Sequence, residues 1–269
     1  MSRMPVVFFG HGSPMIALET NATTRTWAAI AEAIGTPKAI LCVSAHWFTR
    51  GTGVTAMAQP RTIHDFGAFP QALFDVQYPA PGSPELAGRV RDLLAPDPVH
   101  LDQSQWGLDH GTWSVLVKAF PKANVPVVQL SIDGTKPPAW HYAMGERLRP
   151  LRDEGILIIG TGNIVHNLPR MDWSDRMCAP FPWAKRFNDH IRSAIAEDRP
   201  EEVVNYAAQG QDAALSVPTP DHYWPLLYVL GARQSGEPVR FGPDHIEHGS
   251  LSMLSVVIGD TATPIRAAA

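Results

Sequence analysis

The sequence predicts an α/β fold with a mostly parallel or mixed central sheet flanked by helices and its active edge at the carboxyl ends of the strands. Three observations carry this reading. Short apolar runs rich in β-branched and aromatic residues recur along the chain, and stretches with helical spacing separate them. Each run is also followed closely by Gly, Ser or His, as expected where a buried strand gives way to a functional loop.

The first strand covers residues 6–9. Trp27, Ile30, Ala31 and Ile34 then recur at i, i+3, i+4, i+7, the stripe of an amphipathic helix, which Gly35-Thr36-Pro37 stops. A second strand covers 40–43. Residues 49–81 read as a long, Pro-rich, aromatic loop, and loops of that length inside a compact domain are usually functional. Ser83 caps a helix with Pro84 in its first turn, running through Leu86, Val90 and Leu94. A helix over 112–120, a strand over 125–130, a helix over 138–149 ended by Pro150, and a strand over 156–159 follow. Helices are expected at 183–196, 200–208 and 222–232, and strands at 237–241 and 250–258. The link at 244–248 reads as a surface turn. With no repeat and no linker, residues 1–269 are expected to form one domain.

Composition narrows the function. The chain has 22 Lys and Arg against 26 Asp and Glu, a net charge of −4, and no run of like charges. Nucleic-acid binding needs a basic stripe, which is absent. No apolar stretch approaches 18 residues, so no membrane span is expected. Residues 1–9 lack the charged and apolar regions of a signal peptide, and the two cysteines, Cys42 and Cys178, read as reduced. The expected location is the cytoplasm. Against two cysteines stand eleven histidines.

The placement of these histidines is informative. His11 follows the first strand and His46 the second, while Asn163 and His166 come just after the strand at 156–159. In an open α/β sheet, ligands bind beyond the carboxyl ends of the strands. Parallel pairing would therefore gather His11, His46 and His166 into one crevice. Neutral imidazole suits Zn, Fe or Cu. The best third ligand is His222, with Asp221 beside it either orienting an imidazole or ligating. Three neutral histidines would leave a divalent metal strongly Lewis acidic. His166 reads as either an acid/base group or a fourth ligand. His110 precedes a helix, where the rival role is capping; His64 is divided between substrate contact and scaffold. His100, His141 and His190 read as scaffold without partners, and His245 and His248 as part of the surface turn.

The motifs together resemble a known family. Gly10-His11-Gly12-Ser13-Pro14-Met15, Ser44-Ala45-His46-Trp47, Thr62-Ile63-His64-Asp65-Phe66, Tyr78-Pro79-Ala80-Pro81-Gly82, Asp109-His110-Gly111-Thr112-Trp113, Gly162-Asn163-Ile164-Val165-His166 and Asp221-His222-Tyr223 are similar to those of the 4,5-DOPA extradiol dioxygenases, within the class III extradiol ring-cleavage superfamily. The likeness runs from about residue 5 to 258. It implies one divalent metal on His11, His46 and His222, with His166 close by, and His110 contacting substrate or oxygen. The wider superfamily uses two histidines and a carboxylate, and here His222 stands in the carboxylate's place. Fe(II) is therefore expected for catalysis, with Zn(II) able to occupy the site. The implied partners are a catechol-type substrate and O2, opened to a muconic semialdehyde, with His64, Phe66, Trp47 and Tyr78 walling the pocket. A homo-oligomer is left open. The competing readings are a zinc-dependent hydrolase and a non-enzymatic binding protein on the same scaffold.

Overall fold

A computed structural model describes residues 3–265. Eight strands form one mixed sheet: β1 (Val6–Gly10), β2 (Ala39–Thr49), β3 (Thr52–Thr55), β4 (Val99–Asp102), β5 (Val127–Asp133), β6 (Ile156–Gly162), β7 (Val239–Phe241) and, after a two-stranded hairpin of β8 (Ile246–Glu247) and β9 (Leu251–Ser252), β10 (Val256–Ile258). Their order is β4-β3-β5-β2-β6-β1-β10-β7. The central four, β5, β2, β6 and β1, are mutually parallel. β3 and β10 join them antiparallel on either side.

The helices are α1 (Ala22–Ile34), α2 (Gln71–Phe74), α3 (Pro84–Leu94), α4 (His110–Ala119), α5 (Pro138–Leu148), α6 (Pro182–Ala196), α7 (Pro200–Val204), α8 (Gln211–Ser216) and α9 (Pro225–Gly231). Alternation along the strands divides the apolar residues between two cores. Val6, Phe8, Leu41, Val43 and Ile158 face α3, α5, α6 and α9. Val7, Phe9, Ile40, Cys42 and Ile159 face α1 and α4. Asn21 closes α1 with a reciprocal capping box to Thr24, and Ser83 caps α3 as its sequence predicts.

Several expectations need correction. The insert at 49–81 is not all loop, since β3 extends the sheet and α2 buries Leu73. The helix expected at 200–208 breaks after Val204 and resumes as a 3-10 turn, Tyr206–Gln209. The helix expected from 222 begins at Pro225, whose missing N–H is harmless only in the first turn. The strand expected at 250–258 is interrupted where it crosses the end of β1. There the chain lies against Gly10, and Ser255 Oγ accepts from the Gly10 N–H and from Trp27 Nε1. The strand expected from 237 starts at Val239.

Residues 244–248 are not a surface turn either. Ile246 and Glu247 form β8, and the buried Glu247 carboxylate accepts from Arg176 at 2.9 Å. His141 and His190, read as partnerless, both have partners. His141 is fully buried and hydrogen-bonded to the Tyr228 hydroxyl at 3.0 Å, and His190 lies 3.2 Å from Glu202.

Helices α5 and α9 cross with their backbones touching. A methyl at Gly231 would stand 2.0 Å from the Tyr142 carbonyl oxygen, and one at Gly145 2.3 Å from that of Tyr228. Gly231→Ala is therefore expected to destabilise the fold by about 1–3 kcal/mol, the usual cost of overpacking a close contact. A denaturant melt would measure it, and an unchanged midpoint would contradict the packing described.

Candidate metal centre

The parallel centre of the sheet presents its carboxyl ends on one edge, and the site is built there. β1 hands directly to His11, whose N–H donates to the Gly162 carbonyl at 3.1 Å. β2 reaches the site through a bulge. Val43 pairs with Leu130 and Phe48 with Ile132, so five residue steps on β2 face two on β5. The three surplus residues carry His46 out of the ladder. Ser44 pins that bulge, its Oγ donating to Asp109 Oδ1 at 2.7 Å while accepting the His46 N–H at 3.2 Å.

Asp109 is the N-cap of α4, accepting from the Thr112 N–H at 3.1 Å, and its other oxygen accepts from Gln129 Nε2. Burial raises its carboxyl pKa, an effect the hydrogen bonds oppose. The capping role considered for His110 thus belongs to Asp109, and the His110 imidazole is free for other work. The start of α4 lies against His46 because residue 111 is glycine. A Cβ there would stand 2.6 Å from both His46 Cδ2 and Ser44 Oγ. His222 is fixed from β6, where its carbonyl accepts the Asn163 N–H at 2.9 Å. A Cβ at Gly162 would be 2.1 Å from that same oxygen.

His11, His46 and His222 each bring one ring nitrogen within 4.8 Å of the others. The Nε2 atoms of His11 and His46 are 3.1 Å apart. Two imidazoles bound at 2.0–2.1 Å to one ion hold their nitrogens about 3.0–3.4 Å apart, so this pair fits a shared metal. His222 is backed by Asp221, whose carboxylate meets Nδ1 as carboxylates commonly do behind metal-ligating histidines. Burial opposes ionisation of Asp221, yet the hydrogen bond and charge of His222 hold its pKa below the usual range.

Two further histidines touch this group. The His166 ring lies parallel to that of His222, 3.5 Å away at 4°, and the His166 backbone N–H donates to the Ser216 carbonyl at 2.9 Å. The His110 ring centre is 3.7 Å from that of His46. Burial holds His11, His46 and His166 well below the ordinary imidazole pKa, and repulsion from neighbouring rings adds to it. Neutral imidazole is the form that binds a metal and accepts a proton.

The expected pocket wall is only partly gathered here. Phe66 reaches the cluster, its ring 5.4 Å from His110. His64 lies behind it, its Nε2 donating to the Val76 carbonyl at 2.9 Å and its ring beside Phe66 and Trp113. Trp47 packs instead on Trp106, stacked at 5.6 Å, and against Gly53. Tyr78 is buried in the core with its hydroxyl donating to the Phe120 carbonyl.

Sequence reasoning assigned no role to Ser44, Asp65, Asp109 or Gln129. The Asp109-x-x-Thr112 spacing is a capping signal that could have found one of them. A further group, His46, Asp65 and His110, also has its donor atoms within 4.8 Å. Asp65 has no local signal, because its partner His110 is 45 positions away.

Comparison with known proteins places the chain among described relatives. The family model described as the catalytic LigB subunit of aromatic ring-opening dioxygenase matches residues 7–259. The 4,5-DOPA dioxygenase extradiol of Escherichia coli K12 is 55% identical over 261 residues, covering 96% of each chain. That of Beta vulgaris is 38% identical over 234 residues, covering 84% of this chain and 85% of its own. A crystal structure of an uncharacterized Escherichia coli K12 protein, JW3007, superposes with a TM-score of 0.83 at 50% identity, over 96% of this chain and all of that one. Among the described residues no helix is long and apolar enough to cross a membrane.

The depressed histidines make the metal-free protein acid-sensitive. In the unfolded chain they protonate near 6.5; in the folded one His141 waits until about 4, and His11, His46 and His166 also stay neutral well below 6.5. Between those limits the unfolded state binds more protons, so stability falls as pH falls. The melting temperature of metal-free protein should drop between pH 7.5 and 5.5. A flat profile would show that the cluster is not held neutral.

Proposed function

The chain belongs to the family of the catalytic LigB subunit of aromatic ring-opening dioxygenase, and from that premise we propose that it opens a catechol-type ring, DOPA or a close relative, in the extradiol position. Both atoms of O2 enter the product, a muconic semialdehyde. The observation that carries this reading is the convergence of three imidazoles, His11, His46 and His222, with two more, His166 and His110, in ring contact with them. A hydrolytic zinc site would need the three ligands but not this pair of flanking rings.

In this reading His11, His46 and His222 hold one divalent metal, Fe(II) in the working enzyme, although three neutral nitrogens also suit Zn(II). The bound metal supplies Lewis acidity toward the diol and electron transfer to oxygen. The protein's own groups handle protons and position. His166, kept neutral by burial beside His222, accepts a proton from the substrate hydroxyl and returns it to the product. His110 meets the oxygen charge that develops during ring opening. Phe66, with His64 behind it, covers the site and excludes water. The chain acts as one catalytic domain, since the site draws on residues from 11 to 222. Both cysteines are free, in keeping with action in the cytoplasm.

Protein purified without oxygen and loaded with Fe(II) is expected to consume O2 with at least one member of a catechol panel including DOPA and protocatechuate. Absence of uptake across the panel would overturn the proposal. His166→Ala should keep its metal while turnover falls by a factor on the order of 10² or more. Metal loss in that variant would instead make His166 a ligand. His11→Ala and His46→Ala should each empty the site, as measured by metal content.

A further inference from the structure

We infer that Asp65 is a positioning residue for this reaction, fixing which nitrogen of His110 carries the ring proton and holding that ring against His46. The inference rests on the proposed function for its catalytic consequence, but its structural core stands apart from it.

Asp65 lies in the insert between β3 and α2, far from α4 in sequence, yet both of its oxygens are directed to His110. Oδ1 accepts the His110 backbone N–H at 2.8 Å. This satisfies one of the N–H groups that a helix leaves unpaired in its first turn. Oδ2 lies 2.9 Å from His110 Nδ1, at hydrogen-bond distance with a bent approach. The Nδ1 atom is buried, and because the contact is not aligned as a hydrogen bond it has no hydrogen-bond partner among the described residues; the Asp65 carboxylate is the acceptor poised to take its N–H. Catalytic hydrogen bonds often straighten only when substrate is bound.

An ionised carboxylate can only accept, so the nitrogen facing it carries the hydrogen. In the neutral ring Nε2 is then hydrogen-free, so it accepts a proton from the substrate first and, once protonated, meets the developing oxygen charge as Nε2–H. Asp65 thus sets a tautomer across a long sequence separation. The same residue seats the aromatic wall, because Phe66 follows it directly and places its ring 5.4 Å from His110. His46 Nδ1 is 3.9 Å from Oδ2, beyond hydrogen-bond reach, so the carboxylate is committed to His110.

Asp65→Asn separates this role from that of a loop anchor. The asparagine oxygen can still accept the His110 backbone N–H, and the side-chain shape is retained. Its amide NH2, however, would face Nδ1 as a donor, pushing the ring proton to Nε2. Long-range proton–nitrogen NMR of the Zn(II)-loaded, diamagnetic protein reads the tautomer without turnover. The expected result is Nδ1–H on His110 in the wild type and Nε2–H in Asp65→Asn. With Fe(II), kcat of Asp65→Asn should fall on the order of 10² or more, with KM within about threefold and metal content unchanged. Asp65→Ala, which also frees the insert, should raise KM as well.

An Nε2–H tautomer in the wild type, an unshifted tautomer in Asp65→Asn, or wild-type kcat in that variant would each overturn the inference. Loss of metal in Asp65→Asn would do so too, by assigning the carboxylate to His46. If the wild type consumes no O2 with any catechol, the functional proposal fails while the tautomer measurement still reads the structural inference.

Discussion

Everything in this molecule is arranged around the crowding of five imidazoles at one edge of the sheet. Rings that close cannot all be charged. Burial and mutual repulsion keep His11, His46 and His166 neutral, which is the state the site requires. Such a cluster has no favourable structure of its own in the absence of a cation, so the surrounding fold must hold it. Strand ends do this well, because a β-strand hydrogen-bonded on both sides gives its last residue little freedom. His11 continues β1, itself flanked by β6 and β10, and His222 is tied by its carbonyl to the residue after β6.

His46 is the exception, since its own strand could not have delivered it. The bulge in β2 is a local defect in pairing that has to be stabilised elsewhere, and the Ser44–Asp109 contact supplies that support. Asp109 in turn caps α4 and is held by Gln129 on β5. One buried carboxylate therefore joins the helix that carries His110, the bulge that carries His46 and the neighbouring strand. Glycine at 111 and 162 completes the arrangement, because a methyl group there would occupy space already filled by His46 or His222. The precision of the site thus comes largely from residues that never meet the substrate.

The division between what the sequence made legible and what it did not follows the range of the interactions. Strands of the parallel core were legible because they are buried on both faces and read as continuous apolar runs. His11 and His166 were legible as residues that follow such strands; His46 was found for the same reason, although β2 runs on past it through the bulge. Short elements outside that core were not: β3, α2 and β8 owe their form to neighbours more than to their own pattern. Ser255 shows the point, since the partners of its side chain at the break in the last strand are Gly10 and Trp27, far back in the chain. Trp47 and Tyr78 sat in motifs that resembled a pocket wall. Their side chains were settled by Trp106 and by the Phe120 carbonyl, contacts that no local spacing encodes. Asp65 went without a role because its meaning lies wholly in His110.

In the proposed site, three imidazole ligands leave an electrostatic question that the same geometry answers. Where a site of two histidines and a carboxylate neutralises half of a divalent charge directly, His11, His46 and His222 would neutralise none of it. Asp221 meets His222 at Nδ1, one ring away from the metal side, and remains ionised despite burial because of that contact. Asp65 lies 3.9 Å from the corresponding nitrogen of His46. Negative charge has thus been moved behind the ligands rather than removed. A carboxylate in that position strengthens the imidazole as a donor and compensates the ion at longer range, without occupying a coordination position. Replacing a carboxylate ligand by His222 therefore does not by itself make the centre unsuited to iron. It transfers the anionic part of the site from a ligand atom to Asp221, the hydrogen-bond partner of His222, where burial makes its influence larger than distance alone would suggest.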